Sequence, residues 1–147
     1  MDNCKDLQDK LHHEIPVSQA MGITVAHIDE SSVQLSAPLN KNINHKHTAF
    51  GGSLYSVCVL NGWSLVYVKL SQAGLQGHIV IQESNIQYSL PVISDFESIC
   101  QIEDQFEFDR ALKLFARKGK ARFTLKSIIK QQENIAVVFQ GRYVVHQ

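Results

Sequence analysis

Hydrophobic positions recur along this chain with two periods, one helical and one of strands. From Thr48 to Val68 there is no Asp, Glu, Lys, Arg or His. A segment apolar on nearly every side and opened by Gly51-Gly52 reads as a helix wrapped by the rest of the protein. About 20 apolar residues also suffice to cross a bilayer. Here Gly51, Gly52, Ser53, Ser56, Asn61, Gly62 and Ser64 lower the hydrophobicity, so no membrane span is expected. Upstream, Cys4, Leu7, Leu11 and Ile15 fall at helical spacing, with Asp2 or Asn3 as N-cap and Pro16 as the stop.

The flanking segments carry the period of strands. Ile23, Val25 and His27 share one face of a first strand, and Asp29 to Ser32 form a turn. Val33, Leu35 and Ala37 mark a second strand, stopped by Pro38. After a loop at Gly74 and Gly77, a third strand runs from His78 to Leu90, ahead of Pro91. A fourth holds Phe96, Ser98, Cys100 and Ile102 on one face. Gln105 to Ala116 is ambiguous and accommodates a helical turn. The fifth strand places Phe123, Leu125, Ser127 and Ile129 together, and Gln131 to Asn134 turns it into a sixth. On that sixth strand Ile135, Val137, Phe139, Tyr143 and Val145 face one way. With a single buried helix, parallel crossovers are closed to most strands. The expected fold is therefore α+β: a short N-terminal helix and a mainly antiparallel six-stranded sheet wrapped around one long buried helix. The outer sheet face and the strand edges would favour a partner subunit.

Composition narrows the partners. The 147 residues carry 14 Lys+Arg against 14 Asp+Glu. One domain, 1–147, is expected, and neutrality gives no electrostatic case for nucleic acid. Cys4, Cys58 and Cys100 are odd in number and widely spaced, which suggests reduced thiols in a cytosol. The first residues hold no hydrophobic signal core, which argues against export and for a cytoplasmic protein.

These elements in this order resemble the hotdog fold of acyl-thioester enzymes, over residues 16–147. Asn44 followed by Phe50-Gly51-Gly52 resembles their Asn…His-Gly-Gly signature. Ser84 to Pro91 is similar to a strand ending in Tyr-x-x-Pro, and Arg117-Lys118-Gly119-Lys120 to a basic-Gly-basic lead into the next strand. More narrowly, Thr48 to Leu54 together with Gly62-Trp63 resembles the thioesterase domain in the C-terminal half of YiiD-type proteins. In some of those proteins it is joined to an N-acetyltransferase domain. This chain holds no acetyl-CoA loop of that kind. The resemblance implies hydrolysis of an acyl thioester of coenzyme A or acyl carrier protein, and a homodimer or dimer of dimers with sites at the interface. It implies no cofactor beyond the coenzyme A or phosphopantetheine that the substrate itself carries.

A thioester carbonyl becomes an oxyanion on attack, so preorganised donors are needed where that charge develops. The first turn of a helix offers free N–H groups and the positive end of the macrodipole. Gly52 and Ser53 are the candidate donors, with Gly51 shaping the turn and Phe50 standing where the family has His. The alternative is that the glycines only allow close packing. Attack also needs a group to activate water. Related enzymes place an acid seven residues after the second glycine, where this chain has Val59. Asn61, the one amide in the run, orients a water or else is a core amide bonded to its neighbours. Asn44 holds water or thioester, or serves the turn shared by Asn40, Asn42 and Asn44. Glu83 is the nearest acid, from its own or a partner subunit, or an ordinary exposed strand residue. Ser84 shares a face with Ile86 and Tyr88 and would point toward the helix. Arg117, Lys118, Lys120 and Arg122 are the densest basic cluster, suited to coenzyme A phosphates or an acidic carrier protein, or simply a solvated hairpin. His45-x-His47 lacks further ligands and reads as a solvated loop pair, so no metal is expected.

The missing helix acid leaves a second class open, a non-catalytic acyl-thioester binder or sensor. A hydratase would need an Asp and His about five residues apart, and Asp29, Asp95, Asp104 and Asp109 have no His at that spacing.

Overall fold

The computed structural model describes residues 3–147. Helix α1 (Cys4–Glu14) is capped by Asn3, whose side chain accepts the Asp6 N–H at 2.8 Å. Asp2, the other candidate cap, lies outside the described residues. Leu7 and Leu11 bury one face of α1. The helix stops two residues before Pro16, because a residue ahead of proline is steered out of the helical region. Pro16 then opens a single turn, α2 (Val17–Ala20).

Six strands follow: β1 (Thr24–Ile28), β2 (Ser32–Ala37), β3 (His78–Tyr88), β4 (Phe96–Gln101), β5 (Lys120–Gln131) and β6 (Asn134–His146). They form one sheet in the order β1-β2-β4-β5-β6-β3, every pair antiparallel. The expected faces of β2, β4 and β5 are buried as the alternation required. Two expectations fail locally, each at a register shift. A bulge after Val25 leaves His27 exposed beside Asp29, with 3.4 Å between ring nitrogen and carboxylate. A shift between Ile129 and Lys130 leaves Ile135 at 45 % exposure while Val137, Phe139, Tyr143 and Val145 stay sealed. One residue of slip sends a side chain to the other face.

The long helix α3 (Gly51–Gln72) packs against β2, β3, β4, β5 and β6. Among the described residues, no helix is long and apolar enough to cross a membrane. Gly62 lets α3 approach β6: a Cβ there would overlap the Tyr143 hydroxyl, which donates to the Val59 carbonyl at 2.8 Å. The wrapping is incomplete on one side. Tyr55, Ser56, Val59, Trp63 and Tyr67 form a half-exposed stripe at helical spacing, closed only near its end by the Trp63–Tyr67 stack and Lys10 over the Tyr67 ring.

The ambiguous segment is a full helix, α4 (Gln105–Lys118). Asp104 caps it by accepting the Glu107 N–H at 3.0 Å, and Gly119 ends it at φ 76°. Phe108 and Phe115, seven apart, bury its inner face. Phe106 sits two residues from Phe108 and blurs the helical period; it points outward at 74 % exposure.

Candidate active site

Helix α3 starts where a clamped loop ends. Asn42 is buried and its amide nitrogen donates to the Met21 and Pro38 carbonyls at 2.9 and 2.8 Å. Its own carbonyl accepts the Phe50 N–H at 2.7 Å, and the Ala49 N–H reaches Val92 at 2.8 Å. The chain is thus held on both sides just before the first helical turn. Asn44 organises the loop before it. Its Oδ1 accepts the Lys46 and Thr48 N–H groups and its Nδ2 donates to Thr48 Oγ1 at 2.8 Å. Both ends of that amide are engaged in the loop, which is the turn chemistry of the two readings.

The first turn of α3 has no side-chain cap. Ser53 and Leu54 donate their N–H groups to the Phe50 carbonyl at 2.9 and 3.0 Å. Ser53 therefore does not offer its N–H, contrary to expectation, because the helix begins with a tight turn that consumes it. The N–H groups of Gly51 and Gly52 have no acceptor among the described residues. Gly51 lies beside an open cavity of about 300 Å³ lined by Ala49, Leu54, Tyr88 and the Ser89–Val92 turn. The Phe50 ring lies over Gly52, so a Cβ there would come within 2.5 Å of it.

Two phenols that the sequence reading did not single out for chemistry stand at this turn. The Tyr88 hydroxyl donates to the Gly51 carbonyl at 2.9 Å. That carbonyl and the Gly52 N–H belong to one rigid, planar peptide unit. Fixing the oxygen fixes the N–H, and a hydrogen bond at one end of the unit strengthens the other end as donor. Burial pushes the Tyr88 pKa up, so the phenol keeps its proton. Tyr55 and Ser84 share a hydrogen bond of 2.7 Å between α3 and β3, so Ser84 does face the helix. Tyr55 was findable: it follows Gly52 by three residues, on the same helical face.

The remaining candidates are elsewhere. A bulge between Ile81 and Glu83 turns both Gln82 and Glu83 outward. Glu83 accepts from Arg142 at 2.6 Å with its side chain 69 % exposed, on the opposite sheet face from Ser84. It is an exposed strand residue within its own protomer. Asn61 is sealed at 0 % exposure on the far side of α3, with Nδ2 donating to Ser98 Oγ at 2.8 Å and Oδ1 unpartnered. Its partner is a side chain rather than a backbone group. Cys58 lies beside Ser98, and burial pushes the Cys58 and Cys100 thiols up to about 12, which keeps both protonated and inert. Arg117, Lys118 and Lys120 belong to the other end of the sheet. Tyr88 pairs with Val137 whereas Lys120 pairs with His146, about 30 Å further along β6 at 3.3 Å per residue. His45 and His47 are exposed, and no group of side chains able to hold a metal occurs among the described residues.

One antiparallel sheet around a single long helix, with an uncapped Gly-Gly turn at its start, is the hotdog architecture. The chain belongs to the family described as "Putative thioesterase (yiiD_Cterm)", whose model matches residues 4–147. It is similar to a protein of unknown function from Chlorobaculum tepidum, at 34% identity and a TM-score of 0.91 over 97% of this chain and 93% of that one. A protein from Shewanella oneidensis described as a "putative thioesterase" is 29% identical, with a TM-score of 0.85 over 98% and 97% of the two chains. The E. coli PaaI protein of the phenylacetic acid degradation operon shares the fold at 14% identity and a TM-score of 0.66, over 97% and 91%.

Proposed function

We infer that this protein hydrolyses an acyl thioester, carried by coenzyme A or acyl carrier protein, at the first turn of α3. The pair of unbonded N–H groups at Gly51 and Gly52, beside the cavity and braced by Tyr88, carries this reading. Water attacks the thioester carbonyl carbon, and the oxygen that gains charge is met by those donors and by the helix macrodipole. A base takes a proton from the attacking water; collapse then breaks the C–S bond and releases the acid, and that proton passes to the leaving thiolate to give the thiol. The half-exposed stripe of Tyr55, Val59 and Trp63 offers the acyl chain an apolar wall. The coenzyme A or phosphopantetheine arm comes with the substrate, and no other cofactor has a role.

A homodimer completes this reading. Strand β3 is an eleven-residue sheet edge next to the open stripe of α3, whereas the other edge, β1, has five residues. Long open edges recruit a strand. Two-fold pairing of β3 with its copy covers that edge and brings a second protomer to the stripe, where a proton acceptor can be supplied. Such a protein acts in the cytoplasm, where acyl thioesters of this kind are used.

One observation favours the second reading, an acyl-thioester binder without turnover. No Asp, Glu or His lines the Gly51 cavity, and Glu83 is committed to Arg142. The deciding experiment is thiol release from short-, medium- and long-chain acyl-CoA and acyl carrier protein, with Gly52→Val as control. Release that needs Gly52 supports hydrolysis. Thermal stabilisation by the same ligands without release over hours would replace it with binding.

A further inference from the structure

A neutral chain has gathered its cations. Between Arg110 and Lys130 lie eight of the fourteen Lys and Arg and not one acid. The fold spreads these residues over the outer side of α4 and the outer face of β5. Two have close counter-ions, Arg110 with Glu107 at 3.3 Å and Lys126 with Glu103 at 3.9 Å. Arg122 donates to the amide oxygen of Gln82 at 3.3 Å. Lys113, Arg117, Lys118 and Lys120 make no ion pair among the described residues. Arg117 and Lys118 complement the C-terminal end of the helix dipole, which accounts for two of these charges only.

The same surface holds a groove of about 650 Å³ between α4 and β5. It exists because β4 pairs with β5 only at Lys126 to Ile129, leaving Lys120 to Leu125 without a neighbour on that side. Phe108, Ala111, Leu114 and Phe123 form its apolar floor; Arg110, Lys120, Arg122 and Lys126 stand on its rim, together with Glu103, Asp104 and Glu107 at the N-terminal end of α4. On α4, Phe106, Arg110 and Leu114 recur every four residues, and Phe106 and Leu114 stand 74 % and 39 % exposed. An exposed aromatic beside arginines around a concave floor is the composition of protein interfaces.

We propose that the α4–β5 face docks the acidic carrier protein that bears the acyl thioester, and this rests on the thioester reading above. The seven cations Arg110, Lys113, Arg117, Lys118, Lys120, Arg122 and Lys126 outnumber the four acids Glu103, Asp104, Glu107 and Asp109, and this excess selects an acidic partner over a second copy, since two faces of net positive charge would repel. The groove is concave and only two apolar side chains protrude, which suits a convex protein better than a bilayer. In the β3-paired dimer the cations of β5 lie three strand spacings, about 14 Å, from the partner's β3. Antiparallel pairing places the Tyr88 end of that partner strand next to this protomer's His78, which is in register with His146 and Lys120.

The test compares one acyl group on coenzyme A and on an acidic acyl carrier protein, with the wild type and the double variant Arg110→Glu, Lys113→Glu. Both residues are exposed and outside the Gly51 cavity. The expected result is at least tenfold weaker carrier-protein binding by fluorescence anisotropy, an equal fall in kcat/KM on that substrate, and coenzyme A thioester hydrolysis within twofold. Unaltered carrier binding by the folded variant overturns the proposal, as does a wild type that does not bind the carrier. Preferential binding to vesicles of anionic phospholipid overturns it in favour of a bilayer, and a loss of dimer in favour of a second copy. Charge-sensitive carrier binding with no hydrolysis of either substrate upholds the surface and sinks the hydrolase.

Discussion

Gly52 and Asn61 sit on one helix nine residues apart, about two and a half turns, and so face opposite ways. Around Asn61 every polar group is sealed between α3 and the sheet: Asn61, Ser98, Ser127 and the Cys58 thiol are all buried, and Ser127 donates to the Cys58 carbonyl at 3.3 Å. Around Gly52 the polar groups are half-open, and the N–H groups of Gly51 and Gly52 have no acceptor among the described residues. The sealed side holds the more conspicuous side chains, the open side the accessible donors. A group with chemistry to do needs access and an unused donor or acceptor. Asn61 has an unused oxygen but no access.

The sharpest way to break this contrast is Gly52→Val. Its side chain must displace the Phe50 ring, which is itself 55 % exposed, so stability changes little while the donor turn is obstructed. Losing one oxyanion donor costs about 10²–10³ in turnover. Thiol-release kinetics beside a melting curve would show this, and unchanged turnover would remove the first turn from the mechanism. Next in size is Gly62→Ala on the β6 side, where the new methyl meets the sealed Tyr143 ring. Overpacking of that kind costs about 1–3 kcal/mol, or about 2–4 °C of melting temperature per kcal/mol in a domain of this size.

The sealed side also carries a pH signature. Cys58 and Cys100 titrate near 12 in the fold and from 9.0 when free. Above pH 9 the unfolded chain loses protons that the native state keeps, so stability present below that pH declines as pH rises toward 12. The slope reaches about 1.4 kcal/mol per pH unit for each thiol. Denaturant melts between pH 8 and 10.5 should show a shallower decline in Cys58→Ala. An identical slope would mean that the thiol is not sealed. On the open side, Tyr88→Phe removes the brace on the Gly51–Gly52 peptide but no packing. A neutral hydrogen bond is worth about 1 kcal/mol, so kcat should fall several-fold with KM nearly unchanged. A change in KM alone would make Tyr88 a pocket wall instead.

Most of the fold was legible because alternation and the uncharged helix are strong, independent patterns. Burial of Val33, Leu35, Phe96, Cys100 and Phe139 follows from period two alone. The errors arose where one residue of register decides the outcome, as at His27 and Ile135, or where two phenylalanines two apart hid the period of α4. The candidate site was legible in its backbone turn and not in the side-chain contacts around it. Gly51-Gly52 marks the turn, but the bond from the Ser53 N–H to Phe50 and the reach of Tyr88 to Gly51 arise only from the folded arrangement. Glu83 illustrates the limit most clearly: alternation counted from Ile79 and Ile81 places it inward, counted back from Ser84, Ile86 and Tyr88 it falls outward, and the bulge between Ile81 and Glu83 reconciles the two.

The smallest expected effect belongs to the most conspicuous residue. Asn61→Leu keeps the volume, discards an amide oxygen that has no partner, and loses one bond to Ser98, whose hydroxyl still points at the Cys58 sulfur. Replacing a buried polar group by an apolar one of similar shape is close to neutral. Melting temperature should therefore move by only a few degrees, about 1 kcal/mol or less, and turnover should stay within twofold. Because both quantities are read on one variant, they separate the two roles that an amide in this helix can have. A structural amide moves the melt before it moves the rate. If turnover instead fell tenfold at an unchanged melting temperature, the sealed face would be reaching the substrate through the helix, and the division between the two sides of α3 would fail.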